Sequence, residues 1–315
     1  MSQNPRALTS ASPPEWVGSP PKNRPRVAVL DSGVGGLSVV PALARTLPEA
    51  ELWVVADSAH APYGERDDAW LQQRCQVLTD LIRGQGVDLM VLACNTATAA
   101  AADALRARHG SWPIVGIEPG VKPARALSKT GRIGVMATEA TLRSGRFARL
   151  LTEHAQGAEV TVQACSGLAL AIERGAMADI ETLVDQHTRP LREQGVDVVV
   201  LGCTHYPFVR DVIQRAVGPD VVLLDTSEAV ARRAADLMRS GLSPLSLMRS
   251  GTQADTDPAP RAPVGQPAPS GARFWTSGPT ADLEAFARRW LGWSIRAEAL
   301  PGPASARATA AAGPR

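Results

Sequence analysis

Lysine is almost missing from this chain. Only Lys22, Lys122 and Lys129 occur among 315 residues, and arginine supplies the rest of the positive charge. A mechanism built on a Schiff-base lysine has two candidates in structured sequence, Lys122 and Lys129, and neither stands beside a phosphate-binding loop. A charge imbalance is missing too. The formal net charge is +2, and Arg6, Lys22, Arg24, Arg307 and Arg315 fall in stretches that read as tails. That balance argues for neither a nucleic acid nor a membrane surface as partner. No apolar run approaches the roughly 18 residues that a spanning helix needs. The polar, proline-rich opening of the chain lacks the apolar centre of a signal peptide. Together these absences predict a soluble cytoplasmic protein.

Cysteine is sparse. Cys75, Cys94, Cys165 and Cys203 are the four, and no C-x-x-C pair occurs, which leaves zinc ribbons and thioredoxin-like motifs unsupported. In a reducing cytosol free thiols are the default. No metal is expected.

What is present is alternation. Short apolar runs, among them RVAVLDSG, ELWVVAD, VDLMVLAC, PIVGIE, RIGVMAT, EVTVQAC, VDVVVLGC and VVLLD, read as strands, with amphipathic helical stretches between them. This predicts an α/β fold with mainly parallel sheets. Residues 1–25 and 294–315 read as disordered tails, and 242–273, rich in Pro, Gly, Ser and Ala, as a flexible insertion.

One segment occurs twice. GVDLMVLACNTAT spans 86–98 and GVDVVVLGCTHYP spans 195–207. The repeat predicts two similar lobes, each ending a buried strand in a cysteine, Cys94 or Cys203. In parallel sheets ligands bind just beyond the carboxyl ends of strands. A helix follows each cysteine in the predicted pattern, and a thiol at a helix N-terminus has a lowered pKa. Two such thiols facing one cavity can work as an acid/base pair, one removing a proton from a carbon and the other supplying one to the opposite face. Inert core cysteines, a redox pair and a metal site are the competing readings. Cys75 and Cys165 have no comparable context and read as structural.

DSGVGGLSV, 31–39, follows the first strand. Its glycines suggest a turn that presents backbone N–H groups. Ser38 stands where a dinucleotide fingerprint has its third glycine, and Asp31 before the turn would repel a pyrophosphate. A carboxylate there suits a substrate ammonium. An ordinary strand–turn–helix corner is the plainer alternative. ADSAHAPYGER, 56–66, carries Tyr63 and Gly64, a phenol and an N–H for a bound carboxylate, or simply a turn. His205 lies two residues after Cys203 and can orient or activate it.

Together DSGVGGLSV, ADSAHAPYGER, LACNTATA, GIEPGVKPA, LGCTHYPF and WTSG resemble the signatures of the glutamate racemases, in that family's order, over about 26–241 and 274–293. The resemblance implies cofactor-free interconversion of L- and D-glutamate, supplying D-glutamate for peptidoglycan. It implies Cys94 as the thiol acting on D-glutamate and Cys203 as the one acting on L-glutamate, with Asp31, His205 and Glu173 assisting. It implies substrate contacts from Asp31, Ser32, Tyr63, Gly64, Asn95, Thr96, Thr204 and His205. It also implies two pseudo-twofold lobes with the active site in the cleft between them, 26–118 plus 225–293 and 119–224, and a homodimer as the assembly. An aspartate or other amino-acid racemase of the same superfamily, and a non-catalytic amino-acid-binding regulator, are the alternatives.

Overall fold

The structure, a computed structural model, describes residues 24–240 and 267–301. Most of the expected tails and insertion lies outside these residues.

Among the described residues ten strands alternate with helices, and every strand pairing is parallel. β1 (Arg26–Asp31), β2 (Glu51–Ala56), β3 (Leu89–Leu92) and β4 (Ile114–Gly116) come first in the chain. β5 (Arg132–Ala137), β6 (Glu159–Ala164), β7 (Val198–Gly202) and β8 (Val222–Leu224) follow. β9 (Arg273–Thr276) and β10 (Ala297–Ala299) close it. One sheet has the order β10-β9-β2-β1-β3-β4 and the other β6-β5-β7-β8. Each predicted strand is present. The central ones, β1, β3 and β7, are buried at every position, as their unbroken apolar runs require of parallel strands covered on both faces.

Residues 294–301 correct the sequence reading. Instead of a free tail they carry β10, which pairs with β9 through Ala297, Glu298 and Ala299. A three-residue edge strand is too short to announce itself by periodicity. β9 in turn docks on β2, where Trp275 meets Trp53 at a ring separation of 4.8 Å, with the Arg26 and Arg273 guanidiniums stacked over the Trp53 ring. Such ring pairs contribute about 0.5–1.5 kcal/mol beyond their burial.

One hydrophobic core runs between the two sheets, joining Val27, Val29 and Val91 of the first to Val199 and Leu201 of the second. The outer faces hold separate cores, one under Leu71, Leu78 and Ile82, the other under Val121 and Phe147.

The duplicated Gly-Val-Asp has a structural job. Asp88 Oδ2 accepts a hydrogen bond from the Arg26 backbone N–H at 2.9 Å, tying the approach to β3 to the start of β1. Asp197 does the same ahead of β7, accepting from the Lys129 and Thr130 N–H groups at 2.7 and 2.8 Å and from Ser128 Oγ at 2.5 Å. Burial would raise the Asp197 carboxyl, but these hydrogen bonds outweigh it and hold it below the usual carboxylate range.

Asp197→Ala should therefore destabilise the fold by about 1.5–3 kcal/mol, the worth of hydrogen bonds to a charged acceptor, measured by urea unfolding at neutral pH. A depressed carboxyl contributes stability above its unfolded pKa and loses it as pH falls through its folded one. The difference between wild type and variant should shrink in acid.

Candidate active site

The residues that follow the central strands converge. Ser32 follows β1, Ser58 lies just past β2, Cys94 past β3, Thr138 follows β5 and Cys203 follows β7. All line one cavity of about 210 Å³ between the two sheets. Pockets for drug-sized ligands measure roughly 300–1,000 Å³, so this smaller space suits a small metabolite.

Cys94 caps the helix Asn95–His109, its sulfur accepting from the Ala97 N–H at 3.4 Å. The expected lowering of its pKa does not follow. Burial, with the Asp31 charge, outweighs the cap and pushes the Cys94 thiol up to about 12. As a thiol it donates to Ser32 Oγ at 3.4 Å, and Ser32 Oγ donates to Asp31 Oδ1 at 3.2 Å. Asp31 also accepts from the Gly33 N–H at 2.8 Å and, across the seam, from Thr204 Oγ1 at 2.9 Å. Burial raises the Asp31 carboxyl to about 6. Asp31 is 2 % exposed and stands one layer behind the wall formed by Ser32 and Thr204.

Cys203 has a different setting. No α-helix starts beside it. A 3-10 turn over Tyr206–Val209 intervenes before the helix Arg210–Val217. Its sulfur lies 3.6 Å from His205 Nδ1, and His205 Nε2 lies 2.8 Å from Glu173 Oε1. Burial would lower the His205 pKa, but the hydrogen bonds to Cys203 and Glu173 outweigh it and hold it well above its ordinary value. Glu173 goes the other way. Burial would raise it, and His205 holds it below the usual carboxylate range. The imidazolium therefore bridges sulfur and carboxylate. Each thiol thus ends a chain that runs to a carboxylate, Cys94–Ser32–Asp31 on one side and Cys203–His205–Glu173 on the other.

The remaining candidates divide. Asn95 lines the cavity with a buried Oδ1 that has no hydrogen-bond partner, an acceptor awaiting a donor. Gly64 lines it as well. Thr96 lines it too, but its hydroxyl is shared with Thr138 at 2.9 Å and Thr141 at 3.3 Å. Tyr63 lines the cavity too, but its phenol, read as a carboxylate donor, donates to Asp57 Oδ2 at 2.7 Å. Asp57, which also holds Arg74, is thereby a support for the loop. Sequence reasoning missed Ser58 and Thr138. Ser58 has a buried, unpartnered Oγ in the cavity wall. Both follow a strand in the position where such sheets bind ligands, which was the available signal. Ser277 of the WTSG segment accepts from the Ala59 N–H at 3.1 Å and so props this loop from the far end of the chain. Among the described residues no group of three or more His, Cys, Asp or Glu is arranged to hold a metal.

The glycine turn is buried from Gly35 to Ser38. A Cβ on Gly33 would stand 2.5 Å from Glu173 Oε1, and one on Gly35 would stand 2.5 Å from Thr204 Oγ1 and 2.6 Å from His205 Nδ1. These glycines let the second sheet's loops close on the first.

Comparisons with known proteins agree with this arrangement. Residues 35–234 match the family described as Asp/Glu/Hydantoin racemase. The chain is similar to the glutamate racemase of Pseudomonas paraeruginosa, with 43% identity over 260 residues, 82% of this chain and 91% of that protein. It is 47% identical over 209 residues to the glutamate racemase of Ectopseudomonas mendocina, 66% of this chain and 80% of that one. The crystal structure of glutamate racemase isoform RacE1 from Bacillus anthracis superposes with a TM-score of 0.72 at 30% identity, covering 89% of this chain and 98% of that one. That of the Escherichia coli glutamate racemase, in complex with L-glutamate and the activator UDP-MurNAc-Ala, gives 0.70 at 27% identity, covering 88% and 98%.

The seam between the lobes can be tested directly. Gly35→Ala should lower stability by about 1–3 kcal/mol through overpacking and change the alkylation rate of Cys203, followed by mass spectrometry. Gly145→Ala, where a Cβ meets nothing within 4 Å, should change neither.

Proposed function

The chain belongs to the Asp/Glu/Hydantoin racemase family, and from that premise we propose that it interconverts L- and D-glutamate with Cys94 and Cys203 as its two acid/base groups. The observation that carries this reading is the pair of thiols in one cavity, each hydrogen-bonded into its own chain to a carboxylate.

The two environments differ. His205, held as an imidazolium, stands beside the Cys203 sulfur, while burial and Asp31 favour Cys94 as thiol. With L-glutamate bound, Cys203 removes the α-proton and Cys94 delivers one to the other face. The α-carbon inverts, and the sulfurs exchange protonation states. With D-glutamate the roles reverse. Asn95 Oδ1 accepts from the substrate ammonium. The Ser58 hydroxyl and the N–H groups around Gly64 are available to a carboxylate, and Ser32 and Thr204 carry the influence of Asp31 to the cavity. The family supports the further setting proposed for the enzyme: D-glutamate supply for peptidoglycan, in the cytoplasm, by a homodimer. Among the described residues no helix is long and apolar enough to cross a membrane.

Interconversion of the two enantiomers, followed by circular dichroism with aspartate as control, tests the reaction. Cys94→Ser and Cys203→Ser should each abolish it while the fold survives, because a hydroxyl is too weak an acid to take the place of either sulfur. Cys75→Ala should leave turnover near wild type. Near-normal rates in either serine variant would remove the two-thiol assignment.

Asp31→Asn keeps the shape and removes the charge. It should cost about tenfold to a hundredfold in rate, the worth of a charge-assisted hydrogen bond. The Asp31 carboxyl gains its proton as pH falls through about 6, so the wild-type rate should decline there. In the variant that limb should vanish. Because the equilibrium constant fixes the ratio of kcat/KM in the two directions, any asymmetry should show in kcat and KM separately. Wild-type constants with the same acid limb would reduce Asp31 to a turn residue.

A further inference from the structure

The chain has two tyrosines, and both lie near the proposed catalytic thiols. Their hydroxyls are used differently. Tyr63 is satisfied, donating to Asp57. Tyr206 is 0 % exposed, sits one turn past Cys203, and has a buried hydroxyl with no hydrogen-bond partner. It shares one core with Cys165 and Cys203, and burial, followed by those two neighbouring sulfurs, holds its phenol well above the ordinary value. An unpaired phenolic donor in a sealed core is costly and calls for a reason.

The chemistry of the neighbouring sulfurs supplies one. A neutral thiol is a poor hydrogen-bond acceptor, whereas a thiolate is a strong one. Cys165 donates its own proton to the Gln163 carbonyl at 3.4 Å, and burial pushes its thiol up to about 12, so it stays neutral. Cys203 is the sulfur that changes state in the reaction proposed above. The charged and titratable groups around it are His205 on one side, Cys165 and Tyr206 behind, and Cys94 across the cavity. Glu173 and Asp31 reach it through His205 and Thr204.

We propose that Tyr206 is a positioning residue for Cys203: its hydroxyl donates a hydrogen bond to the Cys203 thiolate and is left unpaired when that sulfur takes up a proton. The hydroxyl stabilises one of the two protonation states between which Cys203 alternates. Cys94 has no such donor, because the Tyr63 hydroxyl is committed to Asp57. The inference rests on Cys203 being one of the two acid/base thiols, but its test needs no turnover.

In the substrate-free full-length enzyme, the alkylation of each cysteine by iodoacetamide is followed against pH, peptide by peptide, by mass spectrometry. Tyr206→Phe removes one oxygen and keeps the ring. It should slow alkylation of Cys203 at neutral pH by about tenfold to a hundredfold, the worth of a hydrogen bond to a charged acceptor, and move its inflection to higher pH. Cys94, the internal reference, should be unchanged. An unmoved Cys203 inflection, or equal shifts at both cysteines, would overturn the proposal. Should Tyr206→Phe fold poorly, Cys165→Ala removes the other, weakly accepting sulfur near the hydroxyl and leaves Cys203 as its sulfur neighbour. Its inflection should then move down, and one that stays or rises counts against the role. Retained racemisation by Cys203→Ser would remove the two-thiol reading instead, whatever the alkylation profile shows.

Discussion

The hydrogen bond from Thr204 Oγ1 to Asp31 Oδ2 joins the two halves of the site, and the rest of its geometry hangs on that seam. Asp31 ends the first strand and Thr204 follows the second cysteine, 173 residues later. Such a contact is possible only if two backbones approach closely, and that approach is what Gly33 and Gly35 permit. Any Cβ there would push away Glu173, Thr204 and His205 together. One strip of glycine backbone thus sets the position of both chains that end in a sulfur.

Burial then makes the two sulfurs unequal. Both are nearly enclosed, at 6 % and 7 % exposure, so charge around them is poorly screened. A carboxylate stands two bonds' reach from Cys94 through Ser32, and an imidazolium stands next to Cys203. The first arrangement, with burial, favours a proton on Cys94, whereas Cys203 meets a cation. The difference comes from the neighbours rather than from the sulfurs themselves. The Tyr206 hydroxyl extends the same logic to the layer behind Cys203.

Much of this was legible in the residues. The strands announced themselves because parallel strands buried on both faces must be apolar throughout. The duplicated segment marked both cysteines, because a strand end in such a sheet is where a ligand meets the chain. What misled was chemistry decided by burial. Cys94 at its helix cap read as an acidified thiol, and the structure makes it a protonated one. Tyr63 read as a ligand, and Asp57, six residues earlier, takes its hydroxyl. The glycine turn read as an ammonium contact or an ordinary corner, and it is a seam.

The sequence by itself determined the alternation of strands and helices and the two strand-end cysteines. These follow from local patterns of apolar residues and from spacing along one chain. Only the tertiary structure decided that Glu173 reaches His205, that Ser277 props the loop at Ser58, that residues 297–299 complete a sheet edge, and that Tyr206 is sealed behind Cys203 without a partner. Each of these depends on which surfaces meet, and hence on desolvation and close packing between segments far apart in the chain, which no local pattern encodes.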